Sequence, residues 1–389
     1  MKKVAILLPW LKMGGTNKVA IRFMNELVKY CDVTLILSQN IGELLDEVPQ
    51  GVHIIIDDMM TFRELIKKDL KELNLLYMVR NIIYYFRVKI GYDNIDNYRY
   101  FVMRHSYITD IEFDCAISYH GQSPERLLNL IYRIHSKKKV SWIHGEMNFS
   151  SNQCKRMSKY YREMDWFFFV SNPTKMAFIK KIPIDSNKTT VYYNRLDSKE
   201  IYEKSKEKVE NIFSNEFINL LTVGRISSEK GQDMIPAVVR GLIDRGYAIK
   251  WYIIGDGPNI DKVKELIAKE KVEKEVILLG VKNNPYPYMK LCDIYVQPSY
   301  TEGYSTTICE AGILGKAIIG TKPSGGIKDQ IEDGKSGLIV ESSIEELQNG
   351  IIKLIDNPLL KKTIETNIIK KDFEAKNEIN KFLAFLNIN

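Results

Sequence analysis

The sequence predicts an α/β fold. Three observations carry it. At 389 residues the chain has room for two or three domains at roughly 150 residues each. Short apolar runs such as Val4–Leu8, Ile218–Val223 and Ile294–Val296 recur along it. Each ends in a glycine or polar turn, and helical periodicity follows, which is the alternation that builds a parallel sheet covered by helices. Apolar content of 45% and charged content of 27% are those of a globular protein, and no fixed-period repeat or low-complexity tract interrupts them.

The chain opens MKKVAILLPWLKMGG, which imitates a secretion signal. No small-residue cleavage site follows, so a first buried strand over Val4–Leu8 is predicted instead. Gly14-Gly15-Thr16 is the turn, and Val19, Phe23 and Leu27 mark one face of the next helix. A strand, a glycine turn and a helix start form a unit whose first amides can receive phosphate. Val33–Leu37 and His53–Ile56 are further strands. Residues 60–105 differ: they are helical in character and mix Tyr77, Tyr84, Tyr85, Phe86, Tyr92, Tyr98, Tyr100 and Phe101 with Lys and Arg. Two readings stand side by side, an insertion whose aromatics pack on the domain and an interfacial or acceptor-side surface.

Cys115–Ser118 and Lys139–Ile143 are the next parallel strands, and the second ends at His144-Gly145. A histidine at a strand's carboxyl end sits where open α/β sheets place ligands. His120-Gly121 is a weaker case of the same kind. Trp166–Val170, then helical 174–181, and Thr190–Tyr193 close the first domain, and the charged run 199–210 reads as a solvated connector or helix.

The second domain opens with the strand Ile218–Val223 and the loop Gly224-Arg225-Ile226-Ser227-Ser228-Glu229-Lys230-Gly231, with a helix from about Asp233. Arg225 as a fork and Lys230 as a point charge can neutralise a departing diphosphate. Ile249–Ile254 and Val276–Leu279 are strands, the second followed by Gly280-Val281. The stretch that organises the rest is residues 297–315, QPSYTEGYSTTICEAGILG. Ser305 is the expected N-cap, with Ile308, Ala311 and Leu314 on one helical face. That puts Glu302 on the loop at a strand's carboxyl end and Glu310 inside the helix. Amides near Ser305, Thr306 and Thr307 make an anion site between two carboxylates that accept from sugar hydroxyls. A nucleotide sugar carries hydroxyls on both sides of a diphosphate.

Glu302, seven residues, then Glu310, inside EGYSTTICEAGILGKAIIGT, resembles the E-x7-E donor signature of retaining glycosyltransferases of family 4. Gly224-Arg225…Lys230-Gly231 and Gly334…Gly337-Leu338 resemble the same family's elements, and Thr306-Thr307 departs from it where apolar residues are frequent. The resemblance implies the GT-B fold, two doubly wound Rossmann-like domains facing across a cleft. Their expected bounds are 1–200 on the acceptor side, 201–370 for the donor, and 371–389 as a helix returning to the first domain. It implies a retaining transfer from a nucleotide-diphosphate sugar, UDP-sugar foremost, to a saccharide or lipid-linked glycan, as in capsule or other surface polysaccharides. Glu310 would hold the ribose. Glu302, with the backbone of Gly303, Tyr304 and Ser305, would hold the sugar. Arg225, Lys230 and the Thr306 and Thr307 amides would stabilise the leaving diphosphate. Gly14 and Gly15 would close over that diphosphate, Val281 would meet the nucleobase through its backbone, and His144 would line the cleft near the sugar.

No His, Asp or Glu cluster with metal spacing is visible, so no metal and no other cofactor is expected, the cations taking that role. Five scattered cysteines (Cys31, Cys115, Cys154, Cys292, Cys309) read as reduced structural thiols of a cytoplasmic protein. Net charge is +7 and uneven: residues 1–197 hold 29 basic and 21 acidic side chains, the remainder 27 and 28. Residues 131–181 hold 11 and 3, which suggests an anionic membrane face as partner; no motif supports a nucleic acid. Two other readings share the architecture, a nucleotide-sugar epimerase and a non-catalytic subunit of a transferase pair.

Overall fold

The computed structural model describes residues 1–57, 62–89, 102–103, 105–145, 147, 149–210, 212–322, 325–374 and 377–388. The expected aromatic positions Tyr92, Tyr98, Tyr100 and Phe101, and the side chains of Tyr84 and Tyr85, lie outside the described residues. The chain divides into two compact units: Met1–Val170, Lys175–Tyr192 and Asn377–Asn389 form the first, and Ser171–Thr174 with Tyr193–Lys376 the second.

The first unit holds seven strands: β1 (Lys2–Leu8), β2 (Cys31–Leu37), β3 (Val52–Ile56), β4 (Phe113–Ser118), β5 (Ser136–Ile143), β6 (Trp166–Phe169) and β7 (Thr189–Val191). They form one parallel sheet in the order β3-β2-β1-β4-β5-β6-β7. The order reverses at β1, which is the doubly wound arrangement, and helices on both faces explain why β1 reads as an unbroken apolar run. One face packs on Phe23, Trp142, Phe168, Tyr192 and Phe382, the last contributed by the helix Glu378–Phe385 near the chain's end. Lys138 fixes that helix, its Nζ 2.7 Å from the Phe385 carbonyl and over the Phe385 ring. At the end of β3, Arg133 donates to Asp57 at 2.8 Å, a buried pair.

The second unit holds six strands: β8 (Ile218–Val223), β9 (Ile249–Ile254), β10 (Val276–Gly280), β11 (Ile294–Gln297), β12 (Ala317–Thr321) and β13 (Leu338–Val340). They are parallel, in the order β10-β9-β8-β11-β12-β13. The reversal falls between β8 and β11, and such a switch point is where open α/β sheets leave a crevice at the strand ends. Leu220, Trp251, Ile294 and Ile319 face one core and Leu221, Tyr252, Tyr295 and Ile318 the other. That alternation buries both faces of each strand. All five cysteines are free and buried. Among the described residues no helix is long and apolar enough to cross a membrane.

Candidate active site

The site is built at the carboxyl end of β11. Gln297 closes the strand and is buried. Its carbonyl oxygen accepts from Tyr295 Oη at 2.7 Å and from Thr307 Oγ1 at 3.0 Å. Its amide donates to Ser299 Oγ at 2.8 Å and to Glu302 Oε1 at 3.2 Å. All four capacities of the side chain are therefore used, and a buried amide so satisfied is held in one orientation.

Glu302 is 9% exposed. Ser299 Oγ donates to its Oε1 at 2.9 Å, and Lys230 Nζ lies 2.6 Å from the same oxygen. Three donors converge on one carboxylate oxygen. Lys230 reaches it from the loop after β8, where Gly231 takes φ 69°. A Cβ on Gly231 would stand 2.0 Å from the Pro298 carbonyl oxygen. Glycine lets that loop lie against the Pro298–Glu302 loop, and the Tyr300 amide donates to the Glu229 carbonyl at 2.9 Å across the same contact. Burial raises the Glu229 carboxyl, but the Ser227 hydroxyl and the Lys230 and Arg225 charges overcome it and hold its pKa below the usual range. Arg225 itself is exposed.

Ser305 caps the helix Thr306–Ile313 as its residue type predicts, its Oγ accepting from the Ile308 amide. One expectation is corrected here. The Ser305 amide is not available to an anion, because it donates to Gln330 Oε1 at 3.1 Å while Gln330 Nε2 returns a bond to the Ser305 carbonyl at 2.6 Å. Thr306 and Thr307 are left as the first helical amides. The Thr307 hydroxyl is turned inward to Gln297, so a ligand at this end meets backbone there.

Glu310 lies one turn further along, 6% exposed, accepting from Tyr286 Oη at 3.3 Å. The Gly303 carbonyl accepts from Ser171 Oγ at 2.7 Å, and the Tyr304 ring lies tilted by 40° against Tyr193, centroids 5.4 Å apart. Burial pushes the Tyr304 hydroxyl well above its ordinary pKa, so it stays protonated. Val281 is 59% exposed on the loop after β10. The Gly255 amide donates to the Gly280 carbonyl and the Gly224 amide to the Ile254 carbonyl, both at 2.9 Å, so the loops after β8, β9 and β10 form one ledge. Gly255-Asp256-Gly257 is part of that ledge rather than a phosphate loop: a Cβ on Gly257 would stand 2.2 Å from the Ile226 carbonyl oxygen.

In the first unit, Gly14 and Gly15 are exposed, and the helix Gly15–Leu27 starts with no side-chain cap. His144 follows β5, its ring 4.6 Å from Tyr119 and 6.0 Å from His120. Both His144 ring nitrogens are buried without a hydrogen-bond partner. Burial, and then the neighbouring His120, pushes its pKa well below the ordinary value, so it is neutral near neutrality. His120 is lowered to about 4 by burial and by Arg126.

Sequence reasoning missed Gln297, Ser299, Gln330 and Tyr286. Gln297 and Ser299 carried a readable signal, polar residues at and just after the end of an apolar strand, five and three before Glu302. Gln330 and Tyr286 meet the site only through folding.

Residues 203–371 match the family of glycosyl transferases group 1. That span is nearly the whole second unit. A Campylobacter jejuni N-acetylgalactosamine-N,N'-diacetylbacillosaminyl-diphospho-undecaprenol 4-alpha-N-acetylgalactosaminyltransferase is 28% identical over 57% of this chain and 60% of its own length. An uncharacterized glycosyltransferase of Methanocaldococcus jannaschii is 25% identical over 69% and 78%. Among solved structures, Anabaena HepE in complex with UDP and glucose has a TM-score of 0.74 at 18% identity over 100% of both chains. Staphylococcus aureus TarM in complex with fondaparinux, alpha-GlcNAc-glycerol and UDP has 0.71 at 14%, again over 100% of both. These likenesses establish the GT-B fold class, two Rossmann-like units each on a parallel sheet.

Proposed function

We propose that the chain is a retaining glycosyltransferase that moves a sugar from a nucleotide-diphosphate donor, UDP-sugar foremost, to a saccharide or lipid-linked glycan. The observation that carries this reading is the buried Glu302 carboxylate, fixed by Lys230, Ser299 and Gln297 beside the start of the helix that presents Glu310. A carboxylate held by three donors on one oxygen keeps its other oxygen for a sugar hydroxyl. The first helical amides and the cations Arg225 and Lys230 supply positive potential for the diphosphate, and Glu310 supplies an acceptor for ribose hydroxyls.

As the sugar–phosphate bond breaks, negative charge grows on the leaving diphosphate. Preorganised cations and amides stabilise that charge more than they stabilise the ground state. The same groups make a divalent metal unnecessary. In a front-face transfer the departing phosphate oxygen takes the acceptor's proton, so no dedicated base is required, and His144, neutral and buried, is a wall or hydrogen-bond partner for the sugar rather than a proton carrier. Gly14, Gly15 and Val281 are assigned to the diphosphate and the nucleobase.

Several relatives named for glycan work support the acceptor class. The Campylobacter jejuni relative is named for a diphospho-undecaprenol substrate, a Staphylococcus aureus one for poly(ribitol-phosphate), and a Klebsiella pneumoniae protein 32% identical over 45% of this chain comes from a cps region. We therefore assign the reaction to surface polysaccharide assembly, such as capsule, on the cytoplasmic side.

The test is a panel of UDP-, GDP- and dTDP-sugars read first by thermal shift and then by product analysis with glycan acceptors. Stabilisation by UDP and its sugars, with an α-linked product from an α-linked donor, is expected. Interconversion of the donor sugar without transfer would establish the epimerase reading instead.

A further inference from the structure

Gln330 ends the short helix Ile327–Gln330 and is buried. A buried side-chain amide needs partners for its acceptor and its donors, and here one turn of backbone supplies them. Oε1 accepts from the Ser305 amide at 3.1 Å, while Nε2 donates to the Ser305 carbonyl at 2.6 Å and to Cys309 Sγ at 2.8 Å. Burial pushes the Cys309 thiol up to about 12, so the sulfur is a neutral acceptor. Ser305 is the N-cap, and its carbonyl is where the first intrahelical bond ends. That bond, from the Cys309 amide, measures 3.4 Å, long for a hydrogen bond. The shorter bond from Gln330 is therefore the stronger restraint on this carbonyl. The contact also runs along the chain. The Gly326 amide donates to the Glu302 carbonyl at 3.4 Å, and a Cβ on Gly326 would stand 2.1 Å from the Gly303 carbonyl oxygen. Ile327 sits in the same core cluster as Ile308. Residues 326–330 thus brace residues 302–305, with glycine at the close approach and glutamine at the far end.

We propose that Gln330 is a positioning residue of the donor site, which fixes the direction in which the Thr306 amide meets the leaving diphosphate. The inference rests on the transferase reading, which puts the diphosphate at this helix start. The link is covalent geometry. The Ser305 carbonyl and the Thr306 N–H belong to one planar trans peptide and point in opposite directions, so a bond that aims the carbonyl aims the N–H as well. The second bond, to the Ser305 amide, stops the same residue from turning about its own backbone. Only a side-chain amide presents a donor and an acceptor side by side without charge. An apolar residue of the same length would leave the Ser305 N–H buried and unpaired. An ionised glutamate would oppose the Ser305 carbonyl. The Thr306 amide acts on charge that grows as the sugar–phosphate bond breaks, so its misdirection costs rate more than donor affinity.

The full chain, Gln330→Met and Gln330→Glu are compared by steady-state transfer, with the donor and acceptor that the sugar panel selects, and by calorimetric titration of UDP. Gln330→Met keeps the length and loses both bonds to Ser305. Its kcat should fall about tenfold to a hundredfold, the cost of misplacing a preorganised group by about an ångström. Its Kd for UDP should weaken by a smaller factor. Gln330→Glu supplies a pH profile. Protonated, the carboxyl repeats the amide's pattern, its O–H donating to the Ser305 carbonyl and its C=O accepting from the Ser305 amide. Ionised, it loses that donor. Burial raises such a pKa, so the variant's rate relative to the parent should rise as pH falls from about 9 towards 6. An amide that serves only the fold would lower the thermal midpoint of Gln330→Met and leave the turnover of its folded fraction at the parental value. Parental kcat in that variant, or kcat and UDP affinity lost by the same factor, overturns the proposal. Where Gln330→Met does not fold, a Gln330→Glu rate ratio that is flat with pH overturns it. A parent that neither binds UDP nor transfers sugar overturns the transferase reading and this inference with it, and that outcome is seen in the parent before any variant is measured.

Discussion

Lys230 Nζ and Glu302 Oε1 stand 2.6 Å apart, joining the loop after β8 to the loop after β11. The carboxylate is buried and the lysine side chain is 24% exposed, so the pair opens to the surface on the lysine side and is not a sealed core bridge. Lys230→Ala should lower the transfer rate on the order of 10²–10³-fold, because the cation acts on charge that grows as the bond breaks. Donor affinity should fall much less. The same change should destabilise the fold by about 1–3 kcal/mol, the usual penalty for a buried acceptor losing one donor, since Ser299 and Gln297 remain. Steady-state rates and urea unfolding read both quantities. A rate loss matched by an equal loss of donor affinity would sink the transition-state role.

Lys230 is set against Glu302 by a glycine. Gly231 holds φ 69° and has the Pro298 carbonyl where a Cβ would go, at 2.0 Å. Gly231→Ala must move one loop or the other. We expect about 1–3 kcal/mol of destabilisation and a strong rate loss even in the folded fraction. Gly246→Ala is the control: its φ is 89° but open space surrounds its Cβ, so it strains the backbone without touching the site. Equal rates for the two variants would show that the close approach at Pro298 is unimportant.

Metal dependence separates charge stabilisation by side chains from Lewis-acid catalysis. With Arg225 and Lys230 assigned to the diphosphate, transfer should persist in EDTA. Loss of activity on chelation, restored by manganese or magnesium, would reassign that role.

Much of this candidate site is legible in the sequence, and the reason is local. Glu302, Ser305 and Glu310 sit on one strand–loop–helix segment, where spacing alone fixes which residue is on the loop, which caps and which lies inside the helix. The strands were legible because parallel strands buried on both faces leave unbroken apolar runs. Legibility ended where partners come from elsewhere in the chain. Gln330 takes the Ser305 amide from 25 residues away, and Tyr286 reaches Glu310 across 24. The inward turn of the Thr307 hydroxyl also depends on Gln297, whose polarity was visible but whose partners were not. The 62–89 helices show the opposite limit: their composition fits packing and interface equally.

His120 and His144 make stability depend on pH. Both have folded pKa values below the unfolded value of about 6.5, His144 well below it and His120 at about 4. Above about 6.5 both states are neutral and the pair contributes nothing. As pH falls below that, the unfolded chain binds protons that the native state refuses, so stability drops by up to about 1.4 kcal/mol per pH unit for each histidine. The loss continues until His120 protonates in the folded state near pH 4. Urea unfolding between roughly pH 7 and pH 5 should show this slope, and His144→Phe should remove about half of it. An unchanged slope in that variant would mean that His144 is not buried neutral.

If the two glutamates divide the donor between them as proposed, their binding energetics should show it. Glu310 sits within the helix, backed by Tyr286, while Glu302 sits on the loop, backed by Lys230. The first helical amides lie between them in the chain. If Glu310 holds the ribose, Glu310→Ala weakens binding of the bare nucleoside diphosphate and of the whole donor alike. One lost charged hydrogen-bond acceptor corresponds to about 1.5–3 kcal/mol, or roughly 10–150-fold in Kd. If Glu302 meets only the sugar, Glu302→Ala binds the bare diphosphate within a few-fold of the parent and transfers poorly. That variant also frees Lys230, which can then bind phosphate more tightly, so a small gain in diphosphate affinity fits the same assignment. Glu302→Gln separates the two effects, because it keeps the side chain's size and removes the charge that holds Lys230. Calorimetric titration of UDP into all three variants, paired with steady-state rates, reads the whole set. Loss of diphosphate binding in Glu302→Ala with retention in Glu310→Ala would reverse the assignment and move the ribose to the loop.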